Sequence, residues 1–417
     1  MKRIGYACLA LNVPGTGFRS CIQKNATDER LLEITAHNLG SLERLIDYNI
    51  ENNIRLFRIS SDIVPFGSSP VNRLEWWDIF GDKLSSIGDR IRKTGMRVSM
   101  HPGQYTVLNS PSPDVVERAV KDLEYHDRFL TALGVGKSNK VILHLGGIYG
   151  DKKEAVNRFS ENYKKLGDNI RQRLVLENDD RSYTICDILA AAEPLGIPVI
   201  YDNLHNRIKG CGDESDAFWI RKASKTWGSD DGGQKVHYSQ QDPKKQPGAH
   251  TVTISIVEFL DFYNGLGEAV PDIMLEVKDK NISALKCINA TYEGNNPHLL
   301  QKDWARYKYL IMERSPNDYN RIRELFNESG YPVVEFYQTV EKALEMESKP
   351  GNAVNAAQHV WGYFKKQADP REAARFFRLM DGLASGTVPL KTIKNHLQAM
   401  AVKYNSEYLL DSYYFDQ

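Results

Sequence analysis

The sequence carries no net charge: Lys+Arg 54 stand against Asp+Glu 54 in 417 residues. Any binding to a polyanion must therefore come from a local patch rather than a global field. There is no CxxC pair. The cysteines, Cys8, Cys21, Cys186, Cys211 and Cys287, are odd in number and far apart, which fits reduced thiols better than a disulfide framework. No apolar run approaches the roughly 18 residues of a membrane span. The start MKRIGYACLALNV is interrupted by Gly5 and Tyr6 and is followed by no cleavage pattern, so no leader is expected. Internal repeats and low-complexity tracts are absent too. These absences point to a soluble cytoplasmic protein with no membrane partner.

What is present is alternation. Short β-rich runs, RIGYAC, IRLFRISS, RVSMHP, KVILHLGG, RLVLEND, PVIYDNLH, KVHYS and DIMLEV, are separated by longer helical patterns over the first two-thirds of the chain. In the segment after Asn25, Leu32, Leu39, Leu42, Leu45 and Ile46 recur on one helical face, with Thr27 or Asp28 as the cap. About eight strand–helix units predict an α/β fold of the (β/α)8 TIM-barrel type over residues 1–289. A doubly wound open sheet is the alternative. From residue 290 to 417 strand signals become rare. Breaks at Ser315-Pro316, Lys349-Pro350-Gly351 and Asp369-Pro370 divide a mainly helical C-terminal extension, whose regularly spaced aromatics are expected to form core.

The C-terminal ends of the proposed strands share a chemistry. Successive strands end on or near His101, His144, Glu177, Asp202 with His205, His237 and Glu276, and His250 follows on the loop after the seventh strand. A barrel collects these ends at one mouth. Buried carboxylates are costly unless paired or bound to metal, so a polynuclear divalent-metal site is the economical account. Imidazole and carboxylate without thiolate suit Zn2+, Mn2+ or Fe2+. Eight candidate ligands exceed what one ion needs, so a bridging carboxylate is expected. Such clusters suit phosphodiester hydrolysis, because the ions activate water and neutralise phosphate oxygens. Sugar isomerases, with fewer histidines, are the rival, and a binding protein without activity is a weaker one. His37, His126, His298, His359 and His396 lie within helical patterns and are expected to be surface or packing residues.

The ordered motifs GYAC, FRISSDIVPF, SMHPGQY, LHLGG, LEND, DNLH, KVHYSQQDPKKQPGAH and LEVKDK, spanning about residues 1 to 285, resemble the ultraviolet damage endonuclease family. Endonuclease IV is a more distant relative. The resemblance implies nicking of double-stranded DNA immediately 5′ to cyclobutane dimers and (6-4) photoproducts, leaving a 3′-hydroxyl and a 5′-phosphate, with abasic sites as further substrates and no ATP requirement. It also implies two or three divalent ions, Mn2+ first, with Zn2+, Mg2+ or Co2+ as alternatives, and a monomer. His101, His144 and Glu177 would hold one ion; Glu177, Asp202, His237 and Glu276 a second; His205 and His250 the third. Lys235 would be carboxylated or contact phosphate, and Tyr6 would lie near the metals. Gln104 and Tyr105 would fill the space left by flipped nucleotides, and Lys244 and Lys245 would contact phosphate. One departure stands out. Ser69 occupies a position where some relatives carry a histidine near the metals, and a hydroxyl is a poor ligand for divalent ions.

Overall fold

A computed structural model describes residues 3–268, 270–294, 296–328 and 330–415. The chain forms two compact units. The first takes in the residues up to 11, 15–254 and 261–285; the second takes in 12–14, 255–260 and 286–417.

The first unit holds eight strands: β1 Ile4–Ala7, β2 Leu56–Ile59, β3 Arg97–Met100, β4 Val141–His144, β5 Leu174–Glu177, β6 Val199–Ile200, β7 Lys235–Tyr238 and β8 Asp272–Leu275. Each falls inside a stretch expected from the sequence. All pair in parallel, in the order β6-β5-β4-β3-β2-β1-β8-β7. The remaining seam is crossed by a parallel bridge between Asp202 and His237, where the His237 amide donates to the Tyr201 carbonyl at 3.0 Å. The sheet therefore curls into a near-closed barrel, and the open-sheet alternative is excluded. Two amide side chains reinforce this short-stranded side. Asn178 exchanges bonds of 3.1 and 2.9 Å with the Asp202 backbone, and Asn203 does the same with Ser239 at 3.0 and 2.9 Å.

Side chains alternate faces along each strand, so the register sorts the interior into layers. Tyr6 pairs with Phe57 and Leu275, whereas Gly5 pairs with Leu56 and Met274. The inward set therefore runs through Gly5, Ala7, Leu56, Arg58 and Met274. At Gly5 the strands approach so closely that a Cβ would lie 1.8 Å from the Leu56 carbonyl oxygen. At the N-terminal ends of the strands, Arg97 and Asp272 form a buried ion pair at 3.0 Å. Above it lie two apolar groups, Ala7 with Leu56 and Met274, and Ile142 with Val175 and Ile200. The top layer is the histidine and carboxylate set.

Around the barrel, the helix Asp28–Glu51 buries Leu31, Ile34, Leu39, Leu42, Leu45 and Ile46, and the Thr27 hydroxyl accepts from the Arg30 amide at 3.2 Å to cap it. One sequence expectation fails here. Cys186 and Cys211 form a disulfide across a separation of 25 residues, while Cys8, Cys21 and Cys287 are in no disulfide. The linear spacing concealed the pair. The crossover through β6 brings the first turn of the helix Ile185–Ala192 beside the loop after Asn203–Ile208.

In the second unit, helices Pro316–Leu325, Pro350–Trp361 and Pro370–Ala384 each begin on proline, where its missing N–H costs nothing. Trp361, Phe364, Phe376, Ile393, Leu397 and Tyr414 share one buried core, with Trp361 stacked on Phe376 at 4.4 Å. The aromatic spacing of this region is thus core spacing. No helix is long and apolar enough to cross a membrane among the described residues.

Candidate metal centre

The inward register that begins in the apolar layers ends on charge. His144 stands directly opposite Glu177 in the β4–β5 ladder, and Asp202 stands opposite His237. Glu177 is the hub. Its Oε2 lies 3.3 Å from His101 Nε2 and 3.8 Å from His144 Nε2. Its Oε1 lies 2.8 Å from His237 Nδ1 and 3.7 Å from His205 Nδ1. Two ligand triads result, His101–His144–Glu177 and Glu177–Asp202–His237, with Glu177 common to both.

The donor set fits cations. Asp202 and His237 are fully buried, yet Asp202 Oδ2 and His237 Nε2 have no hydrogen-bond partner among the described residues. Orphaned buried polar atoms of this kind cost roughly 1–3 kcal/mol each, and a divalent ion would satisfy them. Hard carboxylates with imidazoles can hold a divalent metal, and they do not select which one.

The electrostatics agree. Burial raises the Glu177 carboxyl, but His237 and His144 outweigh it and hold the group well below the ordinary carboxylate range. Burial pushes His101 down to about 4, so its imidazole is neutral. Its Nδ1 lies 2.9 Å from the Pro102 carbonyl. That carbonyl can only accept, so the proton sits on Nδ1 and the Nε2 lone pair faces Glu177. In His205 burial is overcome by Asp202, Glu177 and Glu276, and the ring rises to about 9. Asp202 is itself raised, chiefly by burial.

Glu276, after β8, joins the cluster through His237 Nδ1 at 3.3 Å. Its other partner is Arg58, inward on β2, which the sequence reading missed. Burial raises the Glu276 carboxyl, and Arg58 then His237 more than reverse this. The signal was present in LFRI, where an arginine takes the inward position next to an outward phenylalanine, level with the strand end. Lys235 lies one inward position beneath His237, 1% exposed, with no side-chain hydrogen bond or ion pair among the described residues. Burial, then Arg97 and Arg58, push its amine well below the ordinary lysine value.

Tyr6 requires a correction. It faces outward, packs on Phe57 at 5.2 Å and donates its hydroxyl to Asn49 of the helix Asp28–Glu51 at 2.8 Å, away from the centre. Its motif neighbours Gly5 and Ala7 hold the inward positions. His250 lies outside both triads, on a loop whose bridge joins it to Gln241. His126, assigned to packing, is fully buried and lies 2.8 Å from the Ser61 hydroxyl, which is also 2.8 Å from the His101 carbonyl.

Gln104 and Tyr105 are exposed on the loop after His101, Tyr105 to 74%. Tyr105 borders a cavity of about 740 Å3 whose wall includes Cys8, Ser61, Phe66 and Ser69. The Ser69 hydroxyl accepts from the Val71 amide at 3.3 Å and closes a local turn. Lys244 and Lys245 are exposed, the latter 3.5 Å from Asp242.

Comparison with known proteins accords with this arrangement. The family model described as UV-endonuclease UvdE matches residues 2–299, and one described only as a protein of unknown function matches 308–417. A UV DNA damage endonuclease of Clostridium perfringens (strain 13 / Type A) is 44% identical over 346 residues, covering 82% of this chain and 83% of the relative. One from Bacillus cereus (strain Q1) is 33% identical over 271 residues, 64% of this chain and 85% of its own. The crystal structure of SacUVDE is 38% identical with a TM-score of 0.66, covering 69% of this chain and 97% of that one. On the breadth of these matches, the chain belongs to the UV-endonuclease UvdE family.

Proposed function

We propose that this protein is a metal-dependent DNA repair endonuclease that hydrolyses the phosphodiester immediately 5′ to ultraviolet photoproducts, leaving a 3′-hydroxyl and a 5′-phosphate. The observation that carries the reading is the pair of triads sharing Glu177, in a chain of this family. Cyclobutane dimers and (6-4) products are the expected lesions, with abasic sites as additional substrates. Residues 1–289 would be the catalytic domain, acting as a monomer in the cytoplasm.

His101, His144, Glu177, Asp202, His237 and Glu276 would hold two of the ions and His205 with His250 a third, Mn2+ being the first candidate. When bound, the ions lower the pKa of water and neutralise the phosphate oxygens. The protein's own groups prepare that chemistry. Pro102 fixes the His101 tautomer, Arg58 keeps Glu276 ionised, and Asn178 ties the Asp202 backbone to the end of β5. Burial and the neighbouring arginines favour the neutral Lys235 amine over the ammonium, the form that adds to carbon dioxide with release of one proton to water, and its carbamate would be a further anionic group at the site.

Gln104 and Tyr105 extend from the loop that begins at His101, beside a cavity of a size suited to small ligands. They would occupy the gap left when the damaged nucleotides leave the stack. Damage lowers the cost of unstacking, so selection follows deformability rather than base sequence. Lys244 and Lys245 would contact phosphate, Lys244 with the freer charge.

The test is a duplex carrying one thymine dimer beside its undamaged twin, incubated with Mn2+ or with chelator. The expected result is a metal-dependent nick 5′ to the dimer and none in the twin. Folded, metal-loaded protein that leaves both duplexes intact would end the proposal.

A further inference from the structure

We propose that the exposed face of the helix Pro370–Ala384 in the second unit is a sequence-independent contact surface for the phosphates of duplex DNA; this rests on the reading of the chain as a DNA nuclease. Arg371, Arg375 and Arg378 are all exposed and follow at steps of four and three, which places them on one helical face. They span about 10 Å along the helix, roughly three base-pair steps of a DNA strand. None has an ion-pair partner among the described residues.

Several other cations of the unit are paired. Arg321 faces Glu324, Glu328 and Glu335, Lys342 faces Asp318, and Lys394 faces Glu313. Two of the acids beside the arginine face are already engaged, whereas Asp381, three residues past Arg378, is exposed. Asp369 accepts from the Arg371 and Glu372 amides at 2.8 and 2.9 Å. Glu372 accepts from the Asp369 amide at 3.0 Å, from Lys403 at 2.6 Å and from the Tyr404 hydroxyl at 2.6 Å. The three arginines are therefore left without an ion pair in a chain with no net charge.

Charge complementarity selects the partner. Planar guanidinium groups match phosphate oxygens bidentately, and the proposed substrate of the first unit is a polyanion. A bilayer is the poorer match. An amphipathic helix binds membranes through its apolar side, and here that side, Phe376, Met380 and Leu383, is buried in the unit's core.

The full chain is compared with R371Q/R375Q/R378Q and with the matching triple lysine variant, by anisotropy on an undamaged 30-base-pair duplex across a salt series. Each lost phosphate contact removes about 0.9 from the slope of log affinity against log salt. The glutamine variant should therefore bind with a slope shallower by about 2–3 and at least tenfold more weakly at low salt, with the lysine variant keeping the wild-type slope. Turnover on saturating dimer-containing duplex and the melting temperature should be unchanged. An unaltered slope overturns the proposal. So does loss of binding to phosphatidylserine vesicles with DNA binding intact, which would assign the face to a membrane. A wild-type protein that cuts no damaged duplex yet shows the slope change would sink the nuclease reading and leave this surface standing.

Discussion

Arg58 and Glu276, 218 residues apart in the chain, form an ion pair inside the barrel beside His237. Removing one partner of a largely buried pair strands the other charge, at a cost of up to about 3 kcal/mol. Arg58→Ala should lose about that much stability in the chelated protein, read by urea unfolding. Divalent metal should restore part of it, because a cation again faces Glu276. Arg58→Lys should recover only part, since a point charge lacks the planar fork. Wild-type stability in the chelated alanine variant would show the pair to be dispensable.

His205 makes the chelated protein sensitive to alkali. Its folded value of about 9 lies above its ordinary value. The stabilisation is thus complete below about pH 6.5 and lost as pH rises through about 9. The stability difference between wild type and His205→Gln should shrink between pH 6 and pH 9.5. With metal bound the ligating ring is neutral and the trend should flatten. A constant difference in the chelated protein would refute the coupling to Asp202 and Glu177.

Tyr6 is structural. Tyr6→Phe removes one buried hydrogen bond, to Asn49, and should cost about 1 kcal/mol with nicking rate and metal content unchanged. A large fall in rate without loss of stability would return Tyr6 to the centre.

Tyr105→Ala should behave in the opposite way. The side chain is exposed, so stability should change by less than about 0.5 kcal/mol, and metal content should stay intact while damage-specific nicking falls. Metal loss would make the loop after His101 structural.

Alkylation without reductant should label Cys8 and Cys21 and spare Cys186 and Cys211, as read by peptide mass spectrometry. Labelling of Cys186 and Cys211 in the folded protein would restore the reading of all five cysteines as thiols.

Strand positions were legible because parallel barrel strands are short apolar runs between strong helical patterns, and the residues that end them carry the chemistry. His101, His144, Glu177, Asp202 and His237 could be collected from sequence for that reason. The helical extension was equally legible, since its prolines mark helix starts and its aromatics repeat at core spacing.

The sequence by itself determined the eight-strand alternation and the kind of donor at each strand end, because strand period and residue chemistry are local properties. Only the tertiary structure decided which donors meet. Register turned Tyr6 outward and Arg58 inward, since a one-residue step reverses the face of a strand. The crossover through β6 joined two cysteines that spacing had kept apart. Which arginines stay unpaired on the helix Pro370–Ala384 was likewise settled in space, because an ion pair depends on which carboxylates the fold has already engaged.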